Sequence, residues 1–95
     1  MGPTCEVLLK TDDGASLTAI DATLAVVAEH IERTRKGLVW NVWVGGRPVH
    51  VSVVGPPPTV ALAAGCNGPE DYDVLRNLSK ELAGALDGVA TEPIK

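Results

Sequence analysis

LVWNVWVGGRPVHVSVV, residues 38–54, is the stretch that decides the fold of this chain. Its Gly45-Gly46 pair predicts a two-residue hairpin turn, because glycine accepts the positive φ angles that tight primed turns require. With these two residues as the turn, Trp40 faces Val51 across the two strands. Cross-strand partners project from the same face of a sheet, so the turn fixes which side chains share a face.

This pairing sorts the side chains of the hairpin into two sets. One face is wholly apolar and collects Leu38, Trp40, Val42, Val49, Val51 and Val53. The other face is mixed and collects Val39, Asn41, Trp43, Pro48, His50 and Ser52. A shift of one residue would mix the two sets, so the turn and the hydrophobic pattern predict the same register.

Outside the hairpin, the sequence predicts two more strands and a first helix. Residues 5–10 and 59–64 alternate in polarity or in size, as short strands do. The first helix is expected to begin with Ser16 or Thr18 as its N-cap and to end near Arg35. Its apolar stripe has alternating spacings of three and four residues and consists of Leu17, Ile20, Leu24, Val27 and Ile31.

A second helix is expected to open at residues 67–71, where Pro69 stands in the first turn beside two acidic residues, and to end at Gly88. Residues 91–95 are expected to form a loose tail. The element order is then β-α-β-β-β-α in a single α+β domain spanning residues 1–95. Two helices with one apolar stripe each can cover one face of a sheet, which predicts a two-layer sandwich.

The expected sheet is four-stranded and mixed, with both helices on one face. A helix between two strands returns the chain to its starting end, so the first strand is expected to run parallel to the second. The first, second and fourth predicted strands would then end at the same edge of the sheet as the Gly45-Gly46 turn.

Composition narrows the classes of function. The chain has 95 residues and a formal net charge of −4, without the basic stripe that a nucleic-acid-binding protein presents. No apolar run approaches the roughly 20 residues needed to cross a bilayer, so we expect no membrane partner. Two cysteines are too few for a disulfide scaffold, and the expected strand directions place Cys5 and Cys66 at opposite edges of the sheet, too far apart for a disulfide. These observations lead us to expect a cytoplasmic protein with two free thiols.

One candidate ligand site follows from the expected strand directions. They would bring the N-termini of both helices together with Cys66, Asn67, Arg47 and Ser16. Helix N-termini stabilise anions and lower thiol pKa values, so these residues could bind an anion or activate a thiolate. The alternative is that Ser16 and Asn67 are ordinary helix caps, Arg47 is a turn residue and Cys66 is a small buried apolar side chain.

Other chemistry has no support in the sequence. The two histidines, His30 and His50, are not spaced as metal ligands, and no CxxC pair is present. Patterns typical of nucleotide-binding loops and serine nucleophiles are also missing. We therefore expect no metal, no cofactor and no catalytic residues.

The mixed face of the hairpin is a stronger candidate for a functional site than the helix N-termini are. An uncovered sheet face usually carries polar residues, whereas this one would expose an apolar patch around a tryptophan. Such patches mark interaction surfaces, and tryptophan is enriched at binding hot spots. The expected partner-binding residues are Val39, Asn41, Trp43, Pro48 and His50. The alternative is that a loop or the C-terminal tail folds over Trp43.

The sequence therefore favours a small acidic, non-enzymatic protein-binding module. It is expected to form a homodimer or to bind a protein partner through the open sheet face around Trp43. The alternative is a small-molecule or thiol-dependent enzyme with a site at the helix N-termini around Cys66 and Arg47. Whether the chain is an enzyme stays open, although the sequence favours a binding role.

Overall fold

In a computed structural model of the chain, the Gly45-Gly46 turn joins two antiparallel strands in the predicted register. The structure describes residues 2–9, 17–34, 38–55, 59–65 and 68–94. The two glycines have φ values of 59° and 76°, as a tight primed turn requires. Trp40 pairs with Val51 and Trp43 pairs with Pro48, so the predicted register is confirmed.

The described residues form two helices and six strands. In chain order these are β1 (Thr4–Leu9), α1 (Leu17–Val27), β2 (His30–Arg33), β3 (Val39–Val44), β4 (Arg47–Val54), β5 (Thr59–Ala64), α2 (Pro69–Leu86) and β6 (Gly88–Ala90). The strands lie in the order β2-β3-β4-β5-β1-β6, and every neighbouring pair is antiparallel. The α+β class and the single layer of helices are as expected, but the four-stranded mixed sheet is wrong.

The first correction concerns the end of α1. The Ala28 amide still donates to the Leu24 carbonyl at 2.8 Å, but the Glu29 amide donates to the Trp43 carbonyl at 2.8 Å. The chain thus leaves the helix eight residues before the predicted end at Arg35 and forms β2 beside β3. Ile31 continues the helical stripe, yet it also packs against the core from β2. Because Ile31 fits both the helical spacing and the alternation of a strand, the hydrophobic pattern alone could not place the C-terminal end of α1.

The second correction concerns the direction of β1. It pairs with β5, not with β3, and runs antiparallel to it, with Cys5 opposite Leu62. Helix α1 therefore carries the chain from β1 across the sheet to β2, at the far edge. Counting the alternating directions across the sheet shows that β1 and β2 do run the same way. Helix α1 therefore connects two strands that run in the same direction but are not neighbours in the sheet.

The third correction concerns the C-terminal residues. Helix α2 ends at Leu86, before the expected end at Gly88, and Asp87 adopts the left-handed conformation. Gly88 instead begins β6, where an added Cβ atom would stand 2.8 Å from the Leu8 carbonyl oxygen. The segment expected to be loose continues along β1: the Thr91 amide donates to the Glu6 carbonyl at 2.8 Å, and Ile94 exchanges backbone hydrogen bonds with Thr4.

The core lies between the helices and the apolar face of the sheet. Trp40 is fully buried there, and its indole N–H donates to Asp21 Oδ1 on α1 at 2.6 Å. The other oxygen of Asp21 accepts from Arg33 at 2.7 Å. The remaining buried apolar side chains come from both layers: Cys5, Val7, Ile20, Leu24, Val42, Val49, Val51, Val60, Leu62, Ala64, Leu75, Leu78, Leu82 and Leu86. Both helices thus pack on one face, which leaves the other face available.

Candidate functional site

The sheet face opposite the helices carries the candidate site, and the strand pairings arrange its side chains in rows. The row nearest the Gly45-Gly46 turn holds His30, Trp43 and Pro48. The next holds Glu32, Asn41, His50, Ala63 and Thr4. The third holds Val39, Ser52, Ala61 and Glu6, and the last holds Val54, Thr59, Leu8 and Val89. We call these four rows the open face.

Trp43 dominates the first row. Its ring is half-buried and lies 5.0 Å from the His30 ring, at an angle of 55°. Pro48 stands opposite Trp43 and packs over Gly65, where an added Cβ atom would be 2.8 Å from Pro48 Cγ. The glycine therefore lets the proline ring settle against β5. These contacts hold an aromatic and an aliphatic ring side by side at the edge of the face.

The second row is polar and internally hydrogen-bonded. His50 Nδ1 lies 3.1 Å from Asn41 Oδ1. An amide oxygen only accepts, so Nδ1 carries the proton in this bond, and Nε2 of the neutral ring presents its lone pair. At the end of this row, Glu32 Oε2 lies 3.6 Å from Nε2 of His30, which belongs to the first row. Asn41 thus orients the imidazole of His50 and sets its tautomer.

A shallow hollow of about 410 Å³ lies between side chains of the first two rows of the open face. Trp43, Pro48 and His50 stand along it, Glu32 and Asn41 supply its polar side, and Ala63 is on its floor. A second hollow of about 330 Å³ continues from it past Ser52, Ala61 and Glu6. Both exist because β5 presents the small side chains of Ala61 and Ala63 to this part of the face, between the larger side chains of its neighbours.

The far end of the open face is apolar and accessible. Leu8 is 46% exposed, Val54 48% and Val89 56%, and the strand pairings place all three in one row. The described residues place no helix on this side of the sheet. The open face therefore has apolar side chains at both ends and a polar row between them.

The five residues that the sequence nominated for partner binding all lie on this face: Val39, Asn41, Trp43, Pro48 and His50. The sequence missed His30 and Glu32, because they belong to the strand that it assigned to a helix. It missed Val89 because β6 was not predicted. In the sequence, β2 is indicated only by polar His30 and Glu32 on either side of apolar Ile31, an alternation too short to predict a strand.

The alternative ligand site is only partly described. Cys66, Asn67 and Ser16 lie outside the described residues. Arg47 does stand at the start of α2, but its guanidinium is bonded to Asp71 Oδ2 at 2.9 Å and lies 3.5 Å from Glu70 Oε2. Asp71 also accepts from the Gly68 amide at 2.9 Å. The positive charge of Arg47 is thus balanced by carboxylates from the first turn of α2.

The two helix N-termini do not meet at this end of the sheet, contrary to expectation. The C-terminal end of α1 lies nearer to the Gly45-Gly46 turn than its N-terminal end does. The Gly46 amide donates to Glu29 Oε1, just after α1, at 2.6 Å. Helix α1 therefore begins, at Leu17, toward the opposite end of the sheet. The cause is the antiparallel direction of β1, which places its C-terminus beside Thr59 and not beside Ala64.

Cys5 is a buried free thiol. It donates a hydrogen bond to the Leu75 carbonyl at 3.8 Å, and burial raises the pKa of the thiol. A protonated thiol under the helices is not a nucleophile. The sequence expected Cys5 and Cys66 at opposite edges of the sheet, but β1 and β5 are neighbours, so that reason for two free thiols is wrong. Cys66 itself lies outside the described residues.

The part of the chain that the structure describes lacks two further kinds of site. It contains no group of three or more His, Cys, Asp or Glu side chains that could hold a metal ion. It also contains no helix that is long and apolar enough to cross a membrane. Comparison of the chain with protein-family models, curated proteins and solved structures gives no match.

Proposed function

We propose that this chain is a small acidic, non-enzymatic protein-binding module whose open face binds a partner protein, with Trp43 as the central anchor. The proposed setting is the cytoplasm, where a free thiol such as that of Cys5 stays reduced. The observation that carries the proposal is the position of Trp43, half-buried on a sheet face without a helix. A large aromatic ring among accessible apolar side chains is typical of binding surfaces.

The size of the open face supports an interface that uses all of it. Six strands about 4.8 Å apart, with lengths of three to eight residues, cover roughly 500 Å². A standard protein–protein interface takes about 800 Å² from each partner. Binding that involved only the surroundings of Trp43 would fall well below that size. We therefore include Leu8, Val54 and Val89 at the far end in the proposed interface.

Trp43→Ala tests the proposal against a purified partner. The immobilised module is used to isolate a binding protein, which is then identified, produced separately and titrated by calorimetry. We expect Trp43→Ala to cost about 2 kcal/mol or more of binding free energy, as truncation of a hot-spot residue does. The matched control is Val26→Ala, because Val26 is 84% exposed on α1, on the other side of the sheet. That variant should bind like the wild type.

Sedimentation of the free chain distinguishes the two kinds of occupant. A concentration-dependent dimer that Trp43→Ala dissociates would show that a second copy covers the open face. A monomer whose binding to the purified partner is lost in Trp43→Ala supports the proposal as stated. Equal binding by Trp43→Ala and the wild type, with no self-association in either, would refute it.

The alternative of a thiol-dependent or small-molecule enzyme has no supporting observation among the described residues. It needs Arg47 as an anion-binding group, and the positive charge of this guanidinium is already paired with Asp71 at 2.9 Å and Glu70 at 3.5 Å. We therefore do not extend the proposal to an enzymatic activity.

A further inference from the structure

Positive and negative side chains are unequally divided between the two sides of the described sheet. Each arginine in the described ranges lies on the helix-covered side and has a carboxylate partner there. Arg33 bonds to Asp21 at 2.7 Å, Arg47 to Asp71 at 2.9 Å, and Arg76 to Asp73 at 2.9 Å and Glu92 at 3.0 Å. Lys80, the remaining described basic residue, belongs to α2. The helix side thus carries the basic groups together with their counter-charges.

On the open face, the described residues include one candidate ion pair, between His30 Nε2 and Glu32 Oε2 at 3.6 Å, which is charged on both sides only when His30 is protonated. The described residues of this face include the carboxylates of Glu6 and Glu32 but neither lysine nor arginine. The full chain has a formal net charge of −4, which adds to the negative potential over this surface. A second copy of the chain would bring Glu6 and Glu32 against a face of the same sign. Charge complementarity therefore favours a basic partner over self-association.

The hollow beside Trp43 shows where a positive group of such a partner would fit. Glu32 carries the only formal charge among the residues that line it, apart from the ionisable ring of His50. The neutral His50 ring offers a lone pair at Nε2, because Nδ1 donates to Asn41. The Trp43 ring has the π face that attracts a cation. Carboxylate, imidazole lone pair and indole together present acceptor chemistry to one small volume.

We infer that this hollow binds a cationic side chain, arginine or lysine, of a basic partner protein. We call this binding site the cation seat. The inference rests on the proposed binding function of the open face and specifies the chemistry of its partner. Glu32 forms the ion pair with the bound cation, Trp43 stacks on it, and the apolar row of Leu8, Val54 and Val89 contacts the rest of the partner surface. Arginine suits the site better than lysine, because its planar guanidinium can stack and bind a carboxylate at once.

A pair of peptides that differ by one charge tests the seat directly. Acetyl-Ala-Arg-Ala-amide and its citrulline analogue have nearly the same shape, but only arginine is charged. Each is titrated into ¹⁵N-labelled protein at low salt, with the Trp43 indole and the backbone amides of Glu32 and Asn41 as reporters. We expect the arginine peptide to bind about three- to ten-fold more tightly than the citrulline peptide, as expected for one ion pair with a cation–π contact.

Two charge-neutralising variants locate the effect. In Glu32→Gln, the preference for arginine over citrulline should disappear. In Glu81→Gln, which removes the same charge from an exposed position of α2, the preference should persist. Equal affinity for the two peptides in the wild type would overturn the inference. So would an equal loss of preference in both variants, since that would reflect net charge and not a seat.

Failure of this inference is distinguishable from failure of the proposed function. If Trp43→Ala abolishes binding of the purified partner while the peptide preference is absent, the open face is an interface without a cation seat. If the peptide preference is present and depends on Glu32, while Trp43→Ala still binds the partner normally, the seat exists but the proposed interface is wrong.

Discussion

Two tryptophans three residues apart have opposite roles in this chain. Side chains alternate along a strand, so an odd separation places Trp40 and Trp43 on opposite faces of β3. Trp40 is enclosed beneath α1 and is held by the carboxylate of Asp21. Trp43 leans against His30 on the open face. One residue type thus serves the core in one place and the surface in the other.

Alanine substitutions should separate these roles by their effect on stability. Trp40→Ala should lower the free energy of unfolding by about 3–5 kcal/mol, because it leaves a large cavity and an unpaired carboxylate oxygen. Trp43→Ala should cost about 1 kcal/mol or less, since no enclosed space is created. Urea unfolding of both variants at a concentration where the chain is monomeric provides the measurement. Similar losses in the two variants would show that Trp43 also belongs to the core.

The Cys5 thiol should give the stability a pH dependence with a defined sign. Burial raises the pKa of Cys5 above the ordinary thiol value of 9.0, so the folded state keeps its proton at a pH where the unfolded chain loses it. The associated stability is complete below pH 9 and falls as the pH rises beyond it, by at most about 1.4 kcal/mol per pH unit.

Comparison with Cys5→Ala isolates this contribution. The wild-type free energy of unfolding should decline more steeply than that of the variant between pH 8.5 and about pH 10, measured by urea unfolding. In the native state at pH 8, a thiol reagent should modify Cys5 far more slowly than in the unfolded chain. Rapid native labelling of Cys5, identified by peptide mapping, would contradict its burial.

At the scale of elements, the two strands that the sequence did not predict are both at edges. β2 has four residues and β6 has three, so neither shows a run of alternation long enough to predict a strand. Both form because the sheet offers an unpaired neighbour. β2 supplies Glu32 to the candidate site, and β6 supplies Val89. The edge strands therefore extend the functional surface beyond the hairpin that the sequence identified.

The C-terminal segment should contribute measurably to stability. Residues 91–94 share five backbone or side-chain hydrogen bonds with Thr4 and Glu6, and Pro93 is buried. Deleting residues 91–95 should lower the free energy of unfolding by about 2 kcal/mol or more, since each lost bond contributes about 0.5–1.5 kcal/mol. Ile94→Ala keeps the backbone bonds and should cost less than about 1 kcal/mol. A truncated chain as stable as the wild type would show that the segment is dispensable.

At the scale of the whole molecule, the direction of β1 determines which ends of the elements meet. An antiparallel β1 places Leu8 opposite Thr59, whereas a parallel one would reverse that order. This choice separates the start of α1 from Arg47. It also directs the chain across the sheet so that α1 and α2 pack on the same face. The open face is a consequence of this topology.

Cysteine pairs can test the direction of β1. Leu8→Cys with Thr59→Cys joins directly opposed positions, whose Cα atoms in an antiparallel pair lie about 4.5–5.5 Å apart, within the range of a disulfide. Under mild oxidation this variant should form the bond in high yield, identified by peptide mapping. Leu8→Cys with Ala63→Cys places the second thiol roughly 13 Å further along β5 and should not cross-link. A reversed preference would indicate a parallel β1.

The sequence by itself determined the features that depend on neighbouring residues. The Gly45-Gly46 turn fixed the register of β3 and β4, and the register separated Trp40 from Trp43. Pro69 and the two acidic residues beside it predicted where α2 begins. All five nominated partner-binding residues share one face for the same reason. Turn chemistry and side-chain alternation act over a few residues, so these features are encoded locally.

Only the tertiary structure decided the order of the strands, the direction of β1 and the existence of β2 and β6. Ile31 suits a helix stripe and a strand equally well, and the outcome depends on whether β3 has an edge to pair with. Glu32 could not be assigned to the candidate site without β2. These features arise from pairings between residues far apart in the chain, whose free energy is set by burial in the complete sheet and leaves no periodic signal in the segments themselves.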